Sequence, residues 1–452
     1  MPSSLLAPLF GSAAMEAVFS DKATVDAMLD FERALAEAEA EASVIPGPAV
    51  GPIAAACAAG LDPDAIGKAA GIAGNSAIPL VKQLTATIAA IDGEAAKWVH
   101  FGATSQDAMD TGLILQLKAA FDLLDADLAR IAKAAARLAR IYRDTPMAGR
   151  TWLQQALPVT FGLKMAGLVD ALMRHRARLA EARPRVLVLQ FGGAAGTLAS
   201  LGTKGPEVAD RLAVRLGLGF ADMPWHGHRD RIFEAAALMT GFVVTCAKLA
   251  RDVALMMQTE VGEVLEPAAP GRGGSSTMPH KRNPALSATI LGALQLAPQL
   301  MAAVAGGGAG EHERFAGGWQ GEWLALPELA RLDGGVLGRT AELVEGLEVK
   351  PERMRANLAL TDGLLMAEAV QMALAPALGR LAAHDRIEAA CRQAAAEQRP
   401  LIDILAADGV IGAAATRERL EQLLDPAHYL GAAGEFVDRV LVTHAGRADA
   451  PD

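Results

Sequence analysis

Apolar residues recur at alternating intervals of three and four through Ile114, Leu117, Phe121, Leu124, Leu128, Ile131, Ala135, Leu138 and Tyr142. Lys118, Asp122, Asp127, Lys133 and Arg137 fall off that line. A spacing that averages 3.5 residues predicts one long helix with a single buried seam. Begun at about Gly112, it reaches roughly 45 Å at 1.5 Å per residue, more than an ordinary small domain requires. A similar series, Ala236, Met239, Val243, Cys246, Ala250, Val253, Met257, Val261 and Val264, predicts a second long helix over about 232–265. Ala237, Leu238, Leu249, Leu255 and Met256 make its other faces apolar as well, so it needs more than one neighbour. Residues 284–305 supply a third member. The pattern is that of a multi-helix bundle completed by other subunits.

Either side of this bundle the periodicity shortens. Ser20 is placed to cap a strong helix former over 22–44, and shorter helices are predicted near 51–60 and 78–91. The segment Arg150-Thr151-Trp152-Leu153-Gln154-Gln155-Ala156-Leu157-Pro158 reads as the entrance to a helix over 159–182, either a cap with a staple or a pocket wall. Residues 185–189 form the one strand-like run. The glycines that follow, 192–196, lack both the GxGxxG context and a Walker lysine, so they read as a turn. Beyond about 350, Pro351, Pro376 and Pro400 break the chain into short helices over 352–358, 364–374 and 382–397. The expected fold class is all-α, divided into 1–111, 112–350 and 351–452.

Composition sharpens this picture. Hydrophobic residues make up 52% of the 452 and aromatic ones only 4%, which suits closely packed helices better than sheets. A net charge of −10 argues against a general partner for nucleic acid or an acidic membrane. Cys57, Cys246 and Cys391 are too far apart for a disulfide framework or a metal spacing, so neither metal nor cofactor is expected and a reducing cytoplasm is the default. No basic residue precedes Lys22, and Glu16 interrupts the apolar start, which does not suit a secretory signal. Residues 284–310 carry no charge and are long enough to span a bilayer. Gln295, Pro298, Gln299 and Gly306-Gly307-Gly308 favour instead a helix buried in an oligomer core.

The chemistry gathers between two helices, at Gly273-Gly274-Ser275-Ser276-Thr277-Met278-Pro279-His280-Lys281-Arg282-Asn283-Pro284. Pro270, Gly271, Gly273 and Gly274 break the preceding pattern, and Asn283-Pro284 reads as a helix restart with a capping side chain. Hydroxyls, an imidazole, an ammonium and a guanidinium on a glycine-rich backbone suit a loop that closes a proton-transfer group over an anion. The alternative is a basic interhelical loop. At Thr104-Ser105-Gln106-Asp107 polar residues also gather, and a simple helix start is the alternative there.

Gly274 to Pro284 resembles the signature loop of the fumarase/aspartase/argininosuccinate-lyase superfamily, a specific eleven-residue match. Thr104-Ser105-Gln106-Asp107 resembles that family's first block and Arg150 to Ala156 its second. Asp425-Pro426-Ala427-His428-Tyr429-Leu430-Gly431 fits the C-terminal end, so the likeness covers nearly the whole chain. It implies three helical domains and a homotetramer built on a central bundle, with each active site shared between subunits. It also implies elimination or addition beside a carboxylate, through an aci-carboxylate that needs positive charge and hydrogen bonds. Ser275 and Lys281 are then the catalytic pair, with either one delivering the proton. Thr104, Ser105, Thr151, Trp152, Gln154, Ser276, Asn283 and Arg314 surround the substrate. Arg314 has an alternative as ion-pair partner of Glu311 or Glu313, and Trp152 as core packing.

Departures from the family pattern narrow the reaction. Most of these lyases carry a histidine where this chain has Trp152. Adenylosuccinate lyases carry another before the first block, aligned with Ser76-Ala77-Ile78-Pro79-Leu80, and a phosphate-binding arginine where this chain has Glu322-Trp323. Their absence removes the acid for an amine leaving group and the nucleotide anchor. Trp152, together with Asn75-Ser76-Ala77-Ile78-Pro79-Leu80-Val81-Lys82 and Trp319-Gln320-Gly321-Glu322-Trp323, resembles a lactone-forming branch of the superfamily from aromatic breakdown, which implies that a carboxylate of a small tricarboxylate substrate adds within the same molecule. A lyase releasing fumarate from a succinyl-type substrate is the alternative.

Overall fold

Along the first apolar seam every residue from Ile114 to Leu138 is buried, and the charged positions between them face outward. In this computed structural model, residues 5–269, 271, 273, 274, 277, 278 and 280–444 are described. The first strong helix former is α1 (Asp21–Glu41), whose Ala23 N–H donates to the Ser20 hydroxyl at 3.2 Å. The seam helix is α2 (Ser105–Ile141), 37 residues and about 55 Å long. Then come α3 (Phe161–Val186), α4 (Asp230–Met256), α5 (Ala285–Gly307) and α6 (Gly318–Glu345).

Two compact units share the chain. Met1–Leu128, Arg174–Ala247 and Thr289–Arg339 form one; Ala129–Met173, Lys248–Ala288 and Thr340–Asp452 form the other, and each division falls within one of α2 to α6. In the first unit, α1 packs on the helices Val50–Ala59 and Gly205–Leu216, with the rings of Phe31 and Phe191 6.3 Å apart. In the second, Leu374, Ile387, Leu401, Leu405, Ile411 and Leu420 close a core of short helices.

Several expectations give way to tertiary structure. The segment read as a helix entrance is a β-hairpin, β1 (Pro146–Thr151) paired antiparallel with β2 (Gln154–Thr160), and α3 starts only after it. The strand-like run 185–189 begins inside α3, and only Val188 keeps a strand-like bridge, to Gly219. The second long helix stops at Met256; Gly262 takes φ +63, and Val264–Leu265 (β3) pairs with Glu348–Val349 (β4). A helix over Pro63–Ala73 was not expected, and Pro376 lies inside a helix rather than breaking one. The restart at Asn283-Pro284 is real, but its cap comes from elsewhere. Buried Glu266 accepts the Leu286 and Ser287 N–H groups at 2.9 and 2.7 Å, answering two donors that a helix start leaves open.

Candidate active site

Thr104 stands immediately before α2, and the predicted helix start is what the fold builds. Its carbonyl accepts the Asp107 N–H at 2.9 Å, and Asp107 Oδ2 accepts the Thr104 N–H at 3.0 Å, a reciprocal cap. The Thr104 hydroxyl is left to face Arg314, whose Nη2 reaches Thr104 Oγ1 at 3.1 Å and the Ala194 carbonyl at 3.2 Å. Arg314 thus pairs with Thr104 and Ala194, not with the carboxylates of Glu311 or Glu313. Ser105 is half-buried beside them as the first residue of α2.

Behind Thr104 lies a buried polar lattice that the sequence reading passed over. Asp107 Oδ1 takes the Gly192 N–H at 2.9 Å, Gln190 Nε2 at 3.2 Å and His226 Nε2 at 2.7 Å, while Oδ2 takes the Gly193 N–H at 2.9 Å. One turn on, Asp110 accepts both terminal nitrogens of Arg229, at 2.6 and 3.0 Å, and the Trp319 indole N–H at 3.0 Å. Glu322 holds the same guanidinium from the other side, with Nε at 3.1 Å, and all three charged residues are buried. Burial opposes the Arg229 charge, but the Asp110 and Glu322 carboxylates outweigh it and push its pKa up. In the pair Glu322-Trp323, where the sequence lacks a phosphate-binding arginine, Glu322 belongs to an ion-pair triad with Arg229 and Asp110. His100 was also missed. It takes φ +57 four residues before Thr104, with its Nδ1 2.6 Å from the buried Glu32. Burial works against its charge; Glu32 more than offsets this and raises its pKa.

In the second unit, the hairpin puts Thr151, Trp152 and Gln154 at one exposed tip. Thr151 pairs with Gln154, so Trp152 and Leu153 are a two-residue turn, at φ +51 and +65. Such turns normally carry Asn-Gly, because a side chain costs about 1–2 kcal/mol in this region. Trp152 is 98% and Leu153 77% exposed, which excludes core packing for Trp152 within the chain. Next to the tip, Arg150 anchors the first strand, meeting buried Glu263 at 2.9 and 2.8 Å, and Glu263 also accepts Asn357 Nδ2 at 2.8 Å.

The signature loop has a closed neck. The Asn283 N–H donates to the Gly273 carbonyl at 2.8 Å, and Gly273 takes φ +64 with no room for a Cβ beside that same residue's carbonyl. Arg282 is drawn away from the loop, to Glu348 at 2.8 Å and the Glu266 carbonyl at 2.6 Å; that carboxylate raises its pKa. Lys281 is exposed and Asn283 half-buried. Ser275 and Ser276 lie outside the described residues. Among the described residues, no group of three or more His, Cys, Asp or Glu side chains is arranged to hold a metal ion.

Comparison with known proteins gives a consistent answer. Residues 11–297 match the family model described as Lyase, and residues 363–440 the one described as Adenylosuccinate lyase C-terminus. The chain is 54% identical over 436 residues to a 3-carboxy-cis,cis-muconate cycloisomerase of Pseudomonas aeruginosa, covering 96% of this chain and 95% of the relative. It is 53% identical to the enzyme of that name from Bradyrhizobium diazoefficiens, covering 97% and 98%. The crystal structure of 3-carboxy-cis,cis-muconate lactonizing enzyme from Pseudomonas putida superposes with a TM-score of 0.94 at 48% identity, covering 99% of this chain and 100% of that one. The all-α bundle, the intact signature loop and these likenesses along the whole length agree: the chain belongs to the lyase family, among its 3-carboxy-cis,cis-muconate cycloisomerases.

Proposed function

We propose that this protein converts 3-carboxy-cis,cis-muconate to 4-carboxymuconolactone, in the protocatechuate branch of the β-ketoadipate pathway. One substrate carboxylate oxygen adds to an alkene carbon, forming the lactone C–O bond. The π pair moves toward a second carboxylate, giving an aci-carboxylate, and a proton then adds to the α carbon. Positively charged and hydrogen-bonding groups placed where that charge develops lower the barrier. Thr104, Ser105, Thr151, Gln154, Ser276, Asn283 and Arg314 clamp the tricarboxylate, and Ser275 or Lys281 supplies the proton. Trp152 shapes the pocket.

The observation that carries this reading is the contrast between two blocks. Thr104 and Arg314 already meet, a hydroxyl beside a guanidinium of the kind an anion site uses, whereas the hairpin tip offers an indole where an eliminating lyase of this superfamily has an acid. An intramolecular addition expels no leaving group and needs no such acid. The reaction in this reading uses no cofactor and runs in the cytoplasm.

The same reading includes a homotetramer with shared sites and the three-domain division 1–111, 112–350 and 351–452. Its support is α5, long and apolar enough to cross a membrane by length and composition, yet only 22% buried over its most apolar stretch within one chain. The exposed Trp152 and Leu153 point the same way.

The test mixes purified protein with 3-carboxy-cis,cis-muconate, without added metal or cofactor, and follows loss of the diene's ultraviolet absorbance. Rapid loss with a lactone product supports the reading. No loss from a folded protein overturns it, and fumarate release from a succinyl-type substrate would then identify an eliminating lyase.

A further inference from the structure

Five N–H donors converge on the two oxygens of Asp107, a fully buried side chain. A carboxylate that merely closes a capping box serves one or two. The surplus has a direction. On Oδ2 sit the backbone of Thr104 and the backbone of Gly193. The first carries the hydroxyl that meets Arg314, and the second directly precedes Ala194, whose carbonyl takes the same guanidinium. One carboxylate thus fixes both anchors of Arg314, although one anchor starts α2 and the other lies about 90 residues further on.

The local backbone is built for this approach. Gly193 takes φ +68, and a Cβ there would lie 2.9 Å from the Gly102 carbonyl, so the glycine strap rests on the loop that carries Thr104. At Gly192 a Cβ would meet Pro224 and the His226 ring at 2.7 and 2.9 Å. From behind, Gln190 accepts the Trp225 N–H at 2.7 Å, and Gln106 ties the His226 carbonyl to Asp110 at 3.3 and 3.0 Å. Thr104 and Arg314 are therefore set by a rigid frame before substrate arrives.

We propose that Asp107 is the positioning residue of the reaction: it touches no substrate, and it holds the Thr104 hydroxyl and the Arg314 guanidinium at the separation that grips a substrate carboxylate. This rests on the reading of Thr104 and Arg314 as substrate-binding groups. Asparagine cannot replace it, because its amide NH₂ must face either two or three of the five donors. A misplacement of about 1 Å at such a site costs on the order of 100-fold in rate.

The experiment is a double-mutant cycle on kcat and KM for 3-carboxy-cis,cis-muconate, with Asp107→Asn and Arg314→Met singly and together. We expect each single variant to lose on the order of 100-fold in kcat/KM, and the double variant to fall little below the worse single one, because both disable one device. Losses that multiply would assign Asp107 a general structural role and overturn the proposal while leaving the substrate-binding reading intact. An Arg314→Met enzyme with unchanged kcat/KM would overturn that reading, and the proposal with it. Should Asp107→Asn fail to fold, His226→Phe removes one donor, keeps the ring packing and enters the same cycle with the same expectations.

Discussion

Thr104 stands at a helix start where the neighbouring buried carboxylates of Asp107 and Asp110 are answered several times over, while Trp152 stands at a hairpin tip almost wholly in solvent. Positive φ occurs in both regions. Around Thr104 it falls on Gly102, Gly193 and Gly196 as well as on His100 and Leu198; at the tip it falls on Trp152 and Leu153, with no glycine. Unfavourable conformations of this kind persist where the surroundings dictate them, and they cluster at functional positions. The contrast separates two ways of making a site: one region invests in rigidity inside a single chain, and the other accepts strain to present an apolar side chain outward.

Replacing Lys281 by Met is the most severe way to probe the catalytic side of this contrast. Turnover should fall by about 100–1,000-fold with an unchanged melting temperature, since Lys281 is exposed and its loss empties no core. Steady-state diene loss and calorimetry check both halves, and Ser275→Ala measured alongside decides which of the two supplies the proton.

Arg229→Met should break the rigid side outright. It leaves the buried Asp110 and Glu322 carboxylates facing each other unpaired, so unfolding in urea should show a loss of about 3–5 kcal/mol. A loss below about 1 kcal/mol would mean that the lattice contributes little and that the comparison is drawn in the wrong place.

Trp152→Gly tests the strained side, with opposite signs for two observables. Glycine accepts positive φ without cost, so the chain should gain up to about 1 kcal/mol in stability, while kcat/KM drops tenfold or more. Lower stability with normal kinetics would make the indole a packing residue after all.

Glu39→Gln carries the comparison into the core, where one acid lacks what Asp107 has. Glu39 is buried with no partner on either oxygen, and burial, helped by Glu32, pushes its pKa up to about 9. A carboxyl raised in the folded state contributes its full stability below about pH 4.5, and that contribution drains away as the pH climbs toward 9. Glutamine cannot ionise, so the variant should lose less stability between pH 7 and 9, by on the order of 1 kcal/mol, with turnover unaffected. Melting temperatures across that range give the answer.

Much of this was readable from residues alone. A 3.5-residue spacing admits one buried seam, so Ile114 to Leu138 had to lie on the inner face of a helix whatever packed against them. The signature loop and the Thr104 block were equally legible, since their spacing is local. Legibility ended where partners are distant. His226 is 119 positions from Asp107 and Arg314 is 210 from Thr104, and no local periodicity connects them. Residues 146–160 have no clean alternation to announce strands, and Trp-Leu is a poor turn by intrinsic preference, so only strand pairing and the Arg150–Glu263 anchor beside the tip make the hairpin. The α5 cap was expected from adjacent Asn283 and comes from Glu266, because the backbone N–H groups accept whichever carboxylate the fold delivers. Sequence by itself determined which side chains are apolar, that long helices dominate and which chemistry is carried. Tertiary structure alone decided which polar groups meet, because a hydrogen bond depends on distance and angle that only packing sets.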